Sequence, residues 1–260
     1  IITIIVGELS KYITIRQSAS TTGKVHVENA GSLPELLKCD VSKIEELTIS
    51  GYLNGTDFKL LREMSNNLIK LDLSEAHIVE GGESYFFEAN QKHYTKNNVL
   101  PYWGLGYFTE LKELILPQTI QQIDNYACIG CYELKNIDVP QTIGRIGEDA
   151  FYGCASLESI NIPQKVSVIS IGTFYGCSNL KQISLPEKLD SISTMAFGNC
   201  KSLTEIKLND GLRVIESTAF SGCSALEFIN IPQSVHYIRI SAFAECSSFK
   251  ELMLYEGVAD

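Results

Sequence analysis

The chain has 260 residues, 45% hydrophobic and 20% charged, an ordinary globular balance with enough length to bury a sizeable core. Its formal net charge is −10, spread over both halves with no basic run, which argues against a surface built for nucleic acid or for an anionic membrane. No apolar stretch approaches the roughly 20 residues of a membrane-spanning helix, and Ile1–Val6 has neither the basic flank nor the small-residue cleavage site of a signal peptide.

In chain order, Ile2–Val6, Tyr12–Ile15 and Lys24–Val27 read as short strands, and Ser32–Cys39 as a short helix with Ser32 as cap and Pro34 near its start. Residues 1–43 stand outside the period that follows. They read as an N-terminal cap or as the end of a preceding domain, because a stack of repeats needs its first apolar edge covered. Residues 44–260 read as one solenoid. Ile44-Glu45-Glu46-Leu47-Thr48-Ile49 and Leu68-Ile69-Lys70-Leu71-Asp72-Leu73 are strand-like halves 24 residues apart. Between them Thr56–Met64 reads as a helix, with Phe58, Leu61 and Met64 on one face and Thr56 or Asp57 able to cap it. The next anchor, Leu111, follows Leu68 by 43 residues, so this unit carries 20 extra residues, placed at 78–97. Leu100, Leu105 and Phe108 then resume the pattern. Insertions in repeat proteins map to loops on one face, often the binding face.

From Leu111 the period is 23: Leu111, Leu134, Leu157, Leu180, Leu203, Leu226 and Phe249. Apolar residues recur 3 and 5 places on, as in Ile137 and Val139, and mark a short strand with one buried face. Proline at 6, as in Pro140, ends that strand because it has no N–H to donate. Apolar residues at 9 and 12, as in Ile143 and Ile146, turn inward again. Ala-Phe-x-Gly-Cys closes the unit at Ala150-Phe151-Tyr152-Gly153-Cys154, and Gly130, Gly153, Gly176 and Gly222 sit where a tight turn needs a left-handed residue. One unit cannot bury both edges of its core. Stacking units at a strand spacing of about 4.8 Å does so and builds a parallel sheet along one side.

This pattern, Leu-x-x-Ile-x-Ile-Pro followed by spaced Val and Ile and then Ala-Phe-x-x-Cys over Leu134–Cys154, resembles the BspA-like, or Treponema pallidum-type, leucine-rich repeats. The resemblance is close over residues 111–260 and extends to the strand halves at 44–49 and 68–73. Gly51–Phe58 with Leu60–Met64 looks like the entry repeat of such proteins from gut Bacteroidetes. It implies an α/β, β-rich leucine-rich-repeat solenoid, right-handed, with a parallel sheet on the inner face and short helical or irregular turns on the outer face. It also implies a secreted or cell-surface location and an adhesive role. The expected function is therefore non-catalytic recognition of a host or bacterial surface protein or glycan, with a passive spacer as the alternative reading. No cofactor and no nucleic-acid partner is expected.

Candidate ligand-binding residues follow from exposure and residue type. The insertion and its return carry Tyr85, Phe86, Phe87, Tyr94 and Trp103, the aromatic types that anchor interfaces or stack on sugar rings. Their packing as a structural cluster is the competing expectation. On the sheet face, alternation points Asn136, Asp138, Asn161, Ser184, Lys207, Phe228 and Asn230 away from the core. Six of the eight cysteines share one slot at a spacing of 23. They read as small buried side chains, since their Cβ vectors run parallel rather than toward one another. Cys128-Ile129-Gly130-Cys131 matches Cys-x-x-Cys, yet Cys128 fills the Phe slot and no second pair accompanies it. His26, His77, His93 and His236 lie near no nucleophile in sequence, and no enzyme constellation stands out. His77 and His93 among Glu75, Glu80, Glu83 and Glu88 read as a solvated acidic loop before a metal site.

Overall fold

The structure, a computed structural model, describes residues 2–5, 12–17 and 21–253, with side chains from 22 to 250. Val6, Leu254 and Val258, which the sequence reading places in the first strand and in the last repeat, lie outside the described residues. The front of the molecule opens with β1 (Ile2–Ile5), β2 (Tyr12–Gln17) and β3 (Thr21–Val27), followed by the short helix α1 (Leu33–Leu36). Then come β4 (Ile44–Leu53), helix α2 (Gly55–Arg62) and β5 (Lys70–Ile78). Strands β1 to β3 pair antiparallel, but β3 pairs parallel with β4, and β4 with β5. The parallel stack therefore begins one coil ahead of residue 44, with Val25 and Val27 of β3 buried in the common core.

The insertion leaves the chain as β6 (Gly81–Glu88) and β7 (Gln91–Thr95), and β8 (Val99–Leu100) rejoins the stack. Each following unit contributes a front strand and a second short strand. The first are β9 (Glu113–Ile115), β10 (Gln122–Ile123), β11 (Asn136–Asp138) and β12 (Arg145–Ile146). β5 pairs in parallel register with β9, Leu71 against Leu114, although 43 residues separate them, so the insertion loops out without breaking the sheet. The front column continues through Ser159–Asn161, Gln182–Ser184, Glu205–Ile206, Phe228–Asn230 and Glu251–Met253, and the second through Val168–Ile169, Ser191–Ile192, Val214–Ile215 and Tyr237–Ile238. This is the expected β-solenoid of stacked parallel strands. Leu111, Leu134, Leu157, Leu180, Leu203 and Leu226 are all fully buried, and Phe249 is half-buried at the far end.

A third side closes each coil. There the rings of Phe151, Phe174, Phe197, Phe220 and Phe243 stack nearly parallel at 5.7, 5.5, 5.2 and 5.3 Å. The N–H groups of Phe151, Phe174, Phe197 and Phe220 donate to the next coil, as Phe174 does to the Ala196 carbonyl at 2.9 Å. Each Phe carbonyl closes its own turn onto the following Cys N–H, and those of Phe151 to Phe220 also accept the thiol of the next coil: Cys177 Sγ donates to Phe151 O at 3.3 Å, Cys200 to Phe174 O at 3.2 Å, Cys223 to Phe197 O at 3.1 Å and Cys246 to Phe220 O at 3.2 Å. The cysteine slot is thus buried as expected, and it is also a donor column. All eight cysteines are free thiols.

The turn glycines adopt the left-handed conformation expected of them, with φ of 67° at Gly130, 73° at Gly153, 72° at Gly176 and 76° at Gly222. A second left-handed corner, four residues earlier, has no glycine signature. It is occupied by Trp103, Tyr126, Asp149, Gly172, Met195, Thr218 and Ser241. Its N–H groups bond across coils, as Met195 does to the Ser217 carbonyl at 3.2 Å, so the ladder holds the backbone in a region that costs a non-glycine residue about 1–2 kcal/mol.

Helix α2 buries Phe58 and Leu61 as predicted, and Met64 is buried two residues past its end; its cap is Asn54, two residues before Thr56 and three before Asp57. Asn54 accepts from Thr56 N at 3.0 Å, while Asp57 returns the capping box by accepting from Asn54 N at 2.8 Å. Asp57 also accepts from Gly31 N at 2.6 Å and Leu33 N at 2.9 Å, so a carboxylate from the next coil caps α1 in place of the Ser32 hydroxyl, which makes no capping bond.

Phe174→Ala, in the middle of the ring stack, is expected to cost about 3–5 kcal/mol and Cys177→Ala about 1 kcal/mol, measured as urea-unfolding midpoints. Met195→Asn should raise the midpoint, by up to about 1 kcal/mol, because asparagine tolerates the left-handed corner and the exposed Met side chain gives up no core packing. Burial pushes the thiols of Cys154, Cys177 and Cys200 well above the ordinary cysteine range, and that of Cys246 to about 11. Native protein titrated with a thiol reagent at pH 8 should therefore show Cys39 reacting first, Cys246 slowly, and the buried cysteines only on unfolding.

Candidate binding site

The insertion is a β-hairpin. Phe86 pairs with His93, Phe87 with Lys92 and Glu88 with Gln91, and the two turn residues Ala89 and Asn90 both have positive φ, 48° and 65°. Helix α2 holds the hairpin from below. Thr56 Oγ1 accepts from Glu83 N at 3.0 Å, and Lys59 pairs with Glu83 at 2.5 Å. Gly55 lies so close to the first hairpin strand that a Cβ there would sit 2.0 Å from the Glu83 carbonyl oxygen. Arg62 completes the anchor. Its guanidinium lies 4.8 Å over the Phe86 ring and donates through Nη1 to the Trp103 carbonyl, and burial draws its pKa below the usual value.

The five insertion aromatics divide. Tyr85 is only 5% exposed and is removed from the surface: strand alternation turns it toward α2, where its ring lies 6.1 Å from Phe58 and its hydroxyl donates to the Tyr102 carbonyl at 2.8 Å. Phe86 and Trp103 are half-buried and stack at 5.1 Å, with Tyr126 5.7 Å beyond. Phe87, at 61% exposed, and Tyr94, at 49%, face solvent. Tyr102, outside the binding candidates named from the sequence, is central here. Its ring stacks on His93 at 4.2 Å and 6°, and its hydroxyl donates to Glu88 at 2.8 Å. Burial, and then that carboxylate, push the phenol up to about 12. Beside these rings a cleft of about 570 Å³ opens between β7 and the solenoid wall, with Glu88, Lys92, Tyr94, Lys96, Tyr102 and Asp124 in its lining.

The front-sheet residues Asn136, Asp138, Asn161, Ser184, Lys207, Phe228 and Asn230 are all exposed. Four of them come together. Ser184, Lys207, Phe228 and Asn230, with Gln182 and Glu205, line a shallow depression of about 550 Å³. Asn136, Asp138 and Asn161 belong to earlier coils and stay outside it. Phe228 is 51% exposed, with Lys250 Nζ 5.4 Å from its ring centroid, and Lys207 has no acidic partner among the described residues. The neighbouring Lys250 and Lys181 are tied to Glu227 and Glu158. No residue lines both recesses, so the insertion and this part of the sheet face form separate surfaces.

Other chemistry does not assemble. His77 stacks on Tyr52 at 5.3 Å while His93 lies against Tyr102, and among the described residues no group of three or more His, Cys, Asp or Glu converges as metal ligands. Among the described residues no helix is long and apolar enough to cross a membrane.

The stacked coils, the front sheet and the repeating anchors define a leucine-rich-repeat protein. The chain belongs to the BspA-type leucine-rich repeat family, whose profile, described as a BspA type leucine rich repeat region (6 copies), matches residues 105–227 and 168–260. Among solved structures it is similar to a leucine-rich repeat protein from Bacteroides ovatus, at 17% identity and a TM-score of 0.53, covering 96% of this chain and 65% of that one. It is also similar to a leucine-rich repeat protein from Eubacterium ventriosum, at 15% identity and a TM-score of 0.53, covering 94% of this chain and 95% of that one. These likenesses show the fold. No curated protein sequence matches the chain.

Arg62→Ala should loosen the hairpin on the solenoid without unfolding the coils. Amide exchange across 81–95 is expected to accelerate by tenfold or more, a loss of about 1–3 kcal/mol, while amides of the Phe151–Phe220 coils keep their protection.

Proposed function

We propose that this chain is a non-catalytic binding module, secreted or displayed at a bacterial surface, that recognises a host or bacterial surface protein or glycan. The observation that carries this reading is the front-sheet depression. An exposed aromatic and an unpaired lysine stand there among amide and hydroxyl groups, on strands whose register is set by the stack beneath. Aromatic anchors ringed by polar groups are the usual energetic centre of a recognition surface. Presentation on stacked parallel strands removes most of the ordering cost that a flexible surface would meet on binding. Family membership supports the surface location. The leucine-rich-repeat solenoid is typically a scaffold for recognition, and that fold supports a non-catalytic role.

Phe228→Ala combined with Lys207→Ala should leave the unfolding midpoint within about 0.5 kcal/mol, since both side chains are exposed. The same pair should lower capture on an array of host proteins and glycans by tenfold or more, about 1.4 kcal/mol. Unchanged capture by the folded double variant would remove the sheet face from the proposal.

A further inference from the structure

We infer that the cleft between β7 and the solenoid wall is a binding site for a neutral saccharide. The inference rests on the reading of the chain as a binding module but uses residues apart from the front-sheet depression. At about 570 Å³ the cleft falls within the roughly 300–1,000 Å³ typical of small-ligand sites. Its chemistry is that of an amphipathic ring ligand. Tyr94 stands half-exposed at the cleft and, among the described residues, has no ring partner, whereas Phe86, His93, Tyr102 and Trp103 are each stacked on another ring. An unoccupied aromatic face accepts the C–H side of a pyranose, while its hydroxyls need donors and acceptors at the rim.

Those groups are present and already held. Glu88 is fixed by the Tyr102 hydroxyl at 2.8 Å, and Asp124 by Lys96 at 3.4 Å and by Arg145, from outside the lining, at 3.8 Å. Lys92 adds a further cation, so the lining itself carries two carboxylates and two ammonium groups. A recess whose charges cancel offers no net attraction to an anionic or cationic ligand, and it offers many directional bonds to a neutral polyol. β7 also has one unpaired edge in its two-stranded sheet, which could admit an extended peptide. Lys92 and Lys96 on that strand and its exit oppose strand addition, because lysines on an edge are among the devices that prevent it. The saccharide is therefore favoured over the peptide.

The test is isothermal titration of the full chain with cellotetraose, maltotetraose and a mannotetraose, each up to about 10 mM, well above the millimolar affinities of weak sites. Saturation-transfer NMR on the same sugars supplies a second measurement. At least one sugar is expected to bind. Tyr94→Ala and Glu88→Gln should each weaken it about tenfold or more, with melting curves confirming that the variants remain folded. Phe228→Ala should leave this affinity unchanged, even if it abolishes capture by the front face. Absence of binding by all three sugars would overturn the inference, as would binding that is lost in Phe228→Ala and kept in Tyr94→Ala. Protection of the β7 amides by an extended pentapeptide, with no protection by the sugars, would also overturn it and assign the strand edge as the recognition element.

Discussion

Everything in this molecule depends on the fact that one 23-residue coil cannot satisfy its own backbone. Its short strands leave N–H and C=O groups pointing up and down the stack, and only another coil in register can meet them. The front and second strands do this by parallel pairing. The third side has no strand, yet it is bonded from coil to coil as well. From Phe151 to Phe220 the N–H of each ladder phenylalanine is taken by the next coil, and its carbonyl, already closing a turn, takes a thiol from the next coil as a second donor. Cysteine is suited to this place because it is small enough for a ring-packed interior and still carries a hydrogen to donate. The same ladder imposes the left-handed corner at residues such as Met195 and Thr218, a local strain offset by the inter-coil bonds it permits.

A lattice bonded on three sides has consequences for recognition. Side chains that point outward from it stand at fixed spacing, so the front face can gather residues from several coils into one recess although they lie far apart in sequence. Ser184, Lys207 and Asn230 illustrate this, since they occupy the same slot of three successive units. The stack also tolerates an insertion without loss of register, because the strand pairs on either side, β5 with β9 and β8 with β10, lock independently of what the chain does between them.

The hairpin is a different kind of structure. Its own core is small, and an isolated two-stranded hairpin is marginal in water. It is ordered by what it leans on: the α2 N-terminus at Thr56, the Lys59–Glu83 pair, the Arg62 guanidinium over Phe86, and the Trp103–Tyr126 wall. Those supports consume most of its aromatic surface. Only Phe87 and Tyr94 remain outward, and the cleft beside Tyr94 is formed jointly by the hairpin and by Tyr102 and Asp124 of the solenoid.

The period of 23 residues, the anchors Leu111 to Phe249, the strand-ending prolines and the Ala-Phe-x-Gly-Cys closure by themselves determined a stack of parallel coils. Each is a one-dimensional signal, and the solenoid is close to a one-dimensional object. The outward direction of the front-sheet residues was legible for the same reason, because strand alternation has a period of two. What only the tertiary structure decided are the features that depend on contacts across coils. The insertion is a hairpin although Ala89 is not a usual residue for the positive φ it adopts, since the walls hold it in place. Tyr85 is buried and Tyr94 free according to which wall each strand face meets. Asp57 caps a helix in the neighbouring coil, and the cysteines donate to carbonyls 26 residues earlier. No local pattern carries such information, because the partner is brought close by stacking and not by the chain.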